Sequence, residues 1–164
     1  MVVIADTSPL NYLVLIGCAE VLPSLYGEVL IPRAVLQELL HPNTPPDVAS
    51  WIASPPPWLT VEQNPRSLPA LEANDLDAGE QAAIALAQTK QPDVLLLIDE
   101  DRGRQEAARR GIATTGTLGV LDAAAAARLL DLPVALERLQ ATNFYVNHRL
   151  LRRLLERDAQ RRKV

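Results

Sequence analysis

Two stretches of the chain share one pattern, "VVIADTSPL" at residues 2–10 and "DVLLLIDED" at residues 93–101. In each stretch an uninterrupted apolar run ends at an acidic residue, Asp6 in the first and Asp99 in the second. A run without polar alternation predicts a strand that is buried on both faces, as in a parallel sheet covered by helices. The two stretches therefore predict an α/β domain with a mainly parallel central sheet.

The remainder of the chain alternates between strand and helix patterns. Further strands are predicted at residues 29–31, 58–63 (as an edge strand) and 112–115. Helices are predicted at about 9–16, 33–40, 76–88, 102–110, 117–130, 133–141 and 147–162. Ser8 and Pro9 are expected to be the N-cap and first residue of the first of these helices. We expect one unit of three α/β/α layers, made of a domain over residues 1–145 and a basic helical extension over residues 146–164.

Composition narrows the class of protein. The chain has 164 residues, one cysteine and 4% aromatic residues, so a disulfide framework is excluded and a base-stacking platform is disfavoured. The N-terminus has no signal-peptide pattern and no apolar run approaches the roughly 18 residues of a membrane span, so we expect a cytoplasmic protein without a membrane partner. A haloacid-dehalogenase-type phosphatase would need a second aspartate two residues after Asp6, where Ser8 stands.

Charge is distributed unevenly along the chain. The net charge is −4, but residues 149–163 hold seven basic and two acidic side chains, which leaves −9 on the remainder. An acidic body with a basic C-terminal helix fits a protein with a metal site and a phosphate-binding extension. A simple solvated helix face explains the basic residues equally well.

The acidic residues form the candidate site. Because the carboxyl ends of parallel strands meet at one edge of a sheet, Asp6 and Asp99 are expected to lie close together. Two carboxylates in a partly dry cleft repel each other unless one is protonated or a cation lies between them. Oxygen ligands at such an edge suit Mg²⁺ or Mn²⁺.

Two glutamates lie on apolar helix faces. Glu38 follows Ala34 and Val35 by one helical turn, and Glu80 shares a face with Ala83 and Ile84. Each also has an ordinary interpretation, Glu38 as a surface glutamate and Glu80 as the last residue of a capping box that starts at Asp77. We expect both to join Asp6 and Asp99 in one cleft.

Four segments in order, "VIADTSPL", "IPRAVLQEL", "LDAGEQAAIALA" and "LLIDEDRGR", resemble the PIN-domain nucleases, the fold of VapC-type toxins. Within that family the chain is similar to a prokaryotic branch with "DTSPL", "GE" and "GTLG" segments. The resemblance covers roughly residues 2–145. It implies a three-layer PIN-like domain, a Mg²⁺- or Mn²⁺-dependent ribonuclease activity on RNA, a homodimer and, for a toxin, a cognate antitoxin protein.

The resemblance also assigns roles to residues. Asp6, Glu38 and Asp99 match the family's acidic positions, and Glu80 stands where an aspartate is commoner. An alternative alignment places Asp101 in the acidic position of Asp99, so both are kept as metal ligands. Asp6 and Asp99 would bind one or two metal ions directly, while Glu38 and Glu80 would hold metal-bound waters or orient the nucleophile.

Hydroxyl groups complete the expected site. Ser8 and Thr7 are expected to bond Asp6 or a metal-bound water. In "TTGTLG", Thr115 and Thr117 are candidates for binding a substrate phosphate, with Thr117 as the N-cap of a helix whose start offers backbone N–H groups. A plain capped helix remains the alternative there. For the whole chain, the alternative is a PIN-like binding module with weak or no catalysis, acting through a dimer surface or its basic helix.

Overall fold

The computed structural model of the protein describes residues 1–63 and 75–163. The strands in this part of the chain are β1 (Val2–Ala5), β2 (Val29–Pro32), β3 (Leu59–Glu62), β4 (Val94–Leu97) and β5 (Ala113–Thr115). Its helices are α1 (Thr7–Leu15), α2 (Val21–Tyr26), α3 (Arg33–Leu39), α4 (Pro46–Ala53), α5 (Ala78–Thr89), α6 (Asp101–Arg109), α7 (Thr117–Ala126), α8 (Leu132–Gln140) and α9 (His148–Arg162). Within the described ranges, no helix is long and apolar enough to cross a membrane.

The strands form one parallel sheet in the order β3-β2-β1-β4-β5. β1 is central, with Ile4 opposite Leu30 of β2 and Leu96 of β4. β1 and β4 consist only of apolar residues because both of their faces are covered by helices. β3 lies at an edge of the sheet, so the edge strand predicted from residues 58–63 is confirmed.

Two apolar clusters fill the spaces between the sheet and its covering helices. Val3, Ala5 and Leu97 belong to a cluster that includes residues of α1, α7 and α8. Their neighbours Ile4 and Leu96 belong to a second cluster, built with α5 and α6. Because successive strand residues point to opposite faces of a sheet, each central strand contributes to both clusters. The predicted three-layer α/β/α architecture is confirmed.

The order of the strands creates a crevice at the carboxyl edge of the sheet. After β3, at one edge, the chain crosses β1 and adds β4 on the opposite side. The boundary between β1 and β4 is therefore the topological switch point, where open α/β sheets bind ligands. Asp6 follows β1, and its backbone N–H donates to the carbonyl of Leu97 in β4 at 2.9 Å. Asp6 and Asp99 consequently meet at one edge, as their positions in the sequence predict.

The first helix starts earlier than the sequence pattern indicates. The pattern predicts Ser8 as the N-cap and Pro9 as the first helical residue, but α1 begins at Thr7 and Asp6 occupies the N-cap. The reason is that Asp6 is still extended, with φ −79° and ψ 172°, so strand passes directly into helix. Ser8 thereby lies inside the first turn, where its hydroxyl can reach a neighbouring strand end.

The C-terminal helix packs against the domain through one face. Leu154 of α9 is buried in the first apolar cluster, and Leu151 and Leu155 pack against it. Leu150, predicted on the same face, is 38% exposed. The apolar spacing therefore gives the packed face of α9 correctly at three of its four leucines.

Candidate metal centre

A cleft of about 410 Å³ at the carboxyl edge of the sheet is lined by six acidic residues. We call it the acidic cleft. It contains the four acids that the sequence predicts to converge, together with Asp77 and Glu100: Asp6, Glu38, Asp77, Glu80, Asp99 and Glu100. Among the described residues, no lysine or arginine lines it. Thr7, Ser8 and Tyr12 supply hydroxyl groups to its wall.

Asp6 is the buried centre of the acidic cleft, with only 5% of its surface exposed. Its Oδ1 atom is fully enclosed and accepts no hydrogen bond from the described part of the chain. Burial, with smaller contributions from the charges of Asp77, Glu38 and Asp99, raises the pKa of Asp6 to about 8. A buried carboxylate oxygen without a donor indicates that a proton or a cation completes its environment.

Glu38 is held in the acidic cleft by two hydrogen bonds. Its Oε2 accepts the hydroxyl of Thr7 at 2.5 Å, and its Oε1 accepts the backbone N–H of Gly79 at 3.1 Å. Burial raises the pKa of Glu38, against the lowering effect of these two hydrogen bonds. A Cβ atom at Gly79 would collide with the carboxylate of Glu38, so only glycine leaves room for that group. Thr7 therefore positions Glu38 rather than Asp6, the partner expected from the sequence.

Asp77 is a site residue for which the sequence predicts only a capping role. It is the N-cap of α5, and its Oδ1 accepts the N–H of Glu80 at 2.8 Å, as the capping-box pattern predicts. Oxygen atoms of Asp77, Asp6 and Glu38 also lie within 4.8 Å of one another. The sequence offers one clue to this role. Glu80, in the first turn of α5, is expected at the site, and Asp77 immediately precedes that turn.

Glu80 lies deeper than a surface helix residue. It is 8% exposed, and within residues 1–63 and 75–163 its Oε2 has no hydrogen-bond partner. Burial, followed by hydrogen bonding with Asp77 and the charges of Asp77, Asp6 and Glu100, raises the pKa of Glu80 to about 8. Although it lines the acidic cleft, Glu80 does not belong to the close group of Asp6, Glu38 and Asp77.

Asp99 connects the sheet edge to two helices. Its Oδ2 accepts the hydroxyls of Ser8 at 2.8 Å and of Thr117 at 2.7 Å, while its Oδ1 accepts the backbone N–H of Thr117 at 2.6 Å. Ser8 therefore bonds Asp99 rather than Asp6. Thr117, expected to be an N-cap, is the first residue of α7, and Gly116 is the N-cap. The N–H of Thr117, a candidate for binding phosphate, is occupied by Asp99.

The last two candidates lie outside the acidic cleft. Asp101 is exposed in the first turn of α6 and lines a neighbouring cavity instead. Thr115, at the end of β5, lines that same cavity. The structure thus brings Asp99, and not Asp101, to the cleft that contains Asp6.

The donor set of the acidic cleft fits a hard divalent cation. It offers carboxylate and hydroxyl oxygens, and Asp6, Glu38 and Asp77 are near enough for one ion to contact all three. Mg²⁺ and Mn²⁺ prefer such oxygen ligands. The enclosed Oδ1 of Asp6 and the concentration of carboxyl groups around it provide a physical reason for a cation.

These features define an α/β protein with a parallel sheet and a cluster of carboxyl groups at its topological switch point. The family described as PIN domain matches residues 2–160, so the chain belongs to the PIN-domain family. The predicted resemblance to the PIN-domain family is thereby confirmed. Corresponding searches of curated proteins and of solved structures find no match to the chain.

Proposed function

We propose that the protein is a Mg²⁺- or Mn²⁺-dependent endoribonuclease that holds its metal in the acidic cleft. The observation that carries this proposal is the group of Asp6, Glu38 and Asp77, with ligand oxygens within 4.8 Å of one another. Membership in the PIN-domain family supports a nuclease rather than another metal-dependent hydrolase. RNA is the substrate implied by the family resemblance.

The surroundings of each residue in the acidic cleft suggest its role in the proposed reaction. A divalent ion bound there supplies Lewis-acid activation of water and neutralises charge at the scissile phosphate. Asp6, Asp77 and Asp99 are proposed as ligands; Asp99 is preferred to Asp101, which faces a different cavity. Glu38, fixed by Thr7, is proposed as a further ligand and also orients the water that attacks phosphorus. Glu80 accepts the proton that the attacking water loses, or delivers a proton to the leaving oxygen.

Cleavage of a mixed RNA pool by the wild-type protein tests the proposal. We expect cleavage with Mg²⁺ or Mn²⁺, none in excess EDTA, and a fall of at least about 100-fold in Asp6→Asn, which removes a charge without changing shape. Glu137→Gln, at an exposed carboxylate on α8, is the matched control and should retain activity. Cleavage that survives EDTA refutes the metal-dependent mechanism. Binding of Mn²⁺ and RNA without cleavage favours the alternative of a catalytically weak binding module.

The biological setting is proposed from the family resemblance. We propose a toxin-like protein of the cytoplasm that forms a homodimer and is inhibited by a cognate antitoxin. The single cysteine supports a reducing compartment. Sedimentation of the purified chain tests the dimer, and co-purification with the product of the adjacent gene tests the antitoxin. A monomer at all concentrations contradicts the first of these.

A further inference from the structure

Four uncharged side chains that line the acidic cleft can donate a hydrogen bond: Thr7, Ser8, Asn11 and Tyr12. Three of them are committed to other residues of the chain. The hydroxyl of Thr7 donates to Glu38, that of Ser8 to Asp99, and that of Tyr12 to Asn143. Because each hydroxyl has one hydrogen to donate, none of the three is left for a ligand.

Asn11 is the remaining donor. It lies half-buried in α1, and within residues 1–63 and 75–163 its side-chain amide makes no hydrogen bond. Asparagine disfavours helix interiors because its amide competes for nearby backbone groups, yet the amide of Asn11 makes no such local bond. Neither helix formation nor local hydrogen bonding therefore accounts for an asparagine at this position.

The helix directs Asn11 toward the centre of the acidic cleft. Thr7 and Ser8 precede Asn11 by about one helical turn, so the three side chains share one face of α1. Because side chains of a helix tilt toward its N-terminus, the amide of Asn11 points back toward the turn that carries the two hydroxyls. That turn follows Asp6 directly.

A neutral amide is the kind of donor that suits this cleft. A lysine or arginine at the same position would pair with Glu38 or Asp99 and compete with a metal ion for their oxygens. The amide of Asn11 carries no charge, so it leaves the carboxylates to the cation. Its N–H group can nevertheless donate to an anionic oxygen, which makes a shorter and stronger hydrogen bond than a neutral acceptor does.

We infer that Asn11 positions the substrate, by donating a hydrogen bond from Nδ2 to a non-bridging oxygen of the phosphate that the metal ion binds. This inference rests on the proposed nuclease function and assigns to it a residue outside the acidic set. The six acidic residues of the cleft repel a phosphate when no metal is bound. Asn11 should therefore contribute to RNA binding only in the presence of a divalent ion.

Binding of a fluorescein-labelled single-stranded RNA of about ten nucleotides, measured by anisotropy, tests the inference. The Glu80→Gln background removes the proposed proton carrier and keeps the proposed metal ligands, so binding can be measured in Mn²⁺. On it we expect Asn11→Leu, which keeps the size of the side chain and loses the donor, to weaken binding about tenfold in Mn²⁺ and to leave it unchanged in EDTA. Asn11→Gln keeps the amide and should bind more tightly than Asn11→Leu. Gln140→Leu, at an exposed amide on α8, is the matched control.

Calorimetric titration with Mn²⁺ distinguishes a contact to phosphate from a contact to the metal, and Asn11→Leu should bind Mn²⁺ as tightly as its background does. Lower Mn²⁺ affinity in this variant overturns the inference, because Asn11 would then be a metal ligand. Unchanged RNA affinity in Mn²⁺, an equal loss of affinity in EDTA, or no Mn²⁺-dependent RNA binding at all overturns it as well. A Mn²⁺-dependent loss in Asn11→Leu with no cleavage by the wild type supports the phosphate contact and refutes the nuclease.

Discussion

At the scale of single residues, the buried carboxyl groups of Asp6 and Glu80 destabilise the metal-free protein as pH rises. The pKa of Asp6 increases from an ordinary 3.8 to about 8 on folding, and that of Glu80 from 4.5 to about 8. Between these limits the folded state retains protons that the unfolded chain has released, so the free energy of unfolding falls with increasing pH. We expect the melting temperature in EDTA to decrease from about pH 5 to about pH 8.

Asp6→Asn should reduce that pH dependence and raise stability near pH 8. The amide cannot ionise and can donate to a neighbouring carboxylate, so we expect a gain of about 1 kcal/mol, or roughly 2–4 °C in a domain of this size. Thermal melts in EDTA measure it, with Glu137→Gln as the exposed control. A destabilised Asp6→Asn protein under these conditions would contradict this electrostatic interpretation.

Thr7 gives a second prediction at this scale, because its hydroxyl holds Glu38 at 2.5 Å. Thr7→Val keeps the shape of the side chain and removes the donor. We expect Mn²⁺ affinity, measured by calorimetry, to fall about tenfold, the usual effect of removing a group that orients a metal ligand. Thr7→Ser retains the hydroxyl and should bind Mn²⁺ nearly as the wild type does. Equal affinities of the Val and Ser variants would exclude a positioning role for Thr7.

The sequence predicts which residues form the acidic cleft better than it predicts the hydrogen bonds between them. Asp6 and Asp99 can be assigned because each ends an apolar strand, and parallel strands bring such ends together. The partners of Ser8 and Thr7 could not be assigned, since they lie 91 and 31 residues away along the chain. The sequence does not identify Asp77 as a site residue, because its role as the N-cap of α5 already accounts for an aspartate at that position.

At the scale of elements, Asp99 joins β4, α1 and α7. Its carboxylate accepts bonds from Ser8 of α1 and from the first residue of α7, although neither contact is local in sequence. An apolar run predicts β4, and helix-start residues together with apolar spacing predict α1 and α7. α7 begins at Thr117 as predicted, but its N-cap is Gly116 and not Thr117, because the N–H of Thr117 is satisfied by Asp99 and not by a side chain within the helix.

This arrangement predicts opposite effects for the two aspartates of the switch point. Asp99→Ala removes the acceptor of the Thr117 N–H, so we expect the metal-free protein to be destabilised by about 1–2 kcal/mol. Asp6→Asn, by contrast, should stabilise it. Chemical unfolding in EDTA near pH 8 compares the two, with Thr117→Val testing the hydroxyl alone. An Asp99→Ala protein as stable as the wild type would show that the cap contributes little.

At the scale of the whole molecule, much of the positive charge of the C-terminal helix is neutralised by nearby acidic side chains. The sequence places +5 on residues 149–163, but three arginines of this segment are committed to acidic partners. Arg157 and Arg161 pair with Asp122, and Arg162 pairs with the buried Asp158 at 3.0 Å. Charge counting could not predict this, because Asp122 is brought to α9 only by the packing of α7. Removing residues 156–164 would therefore disturb packing as well as charge.

Under the proposed function, the arginines at the start of α9 are the ones free to pair with RNA phosphates. Arg149, Arg152 and Arg153 are exposed and make no ion pair within the described residues. Arg149 and Arg153 continue the helix row of Arg157, which lines the cavity next to the acidic cleft. Changing all three to glutamine should weaken single-stranded RNA binding and lower the salt slope by up to about 2, since each phosphate that no longer pairs with an arginine accounts for about 0.7. The same three positions as lysine retain the charge and should keep the slope. Anisotropy titrations from about 50 to about 300 mM salt measure the affinity and the salt slope of each variant. An unchanged slope in the glutamine variant would show that these arginines contribute to solubility and not to RNA binding.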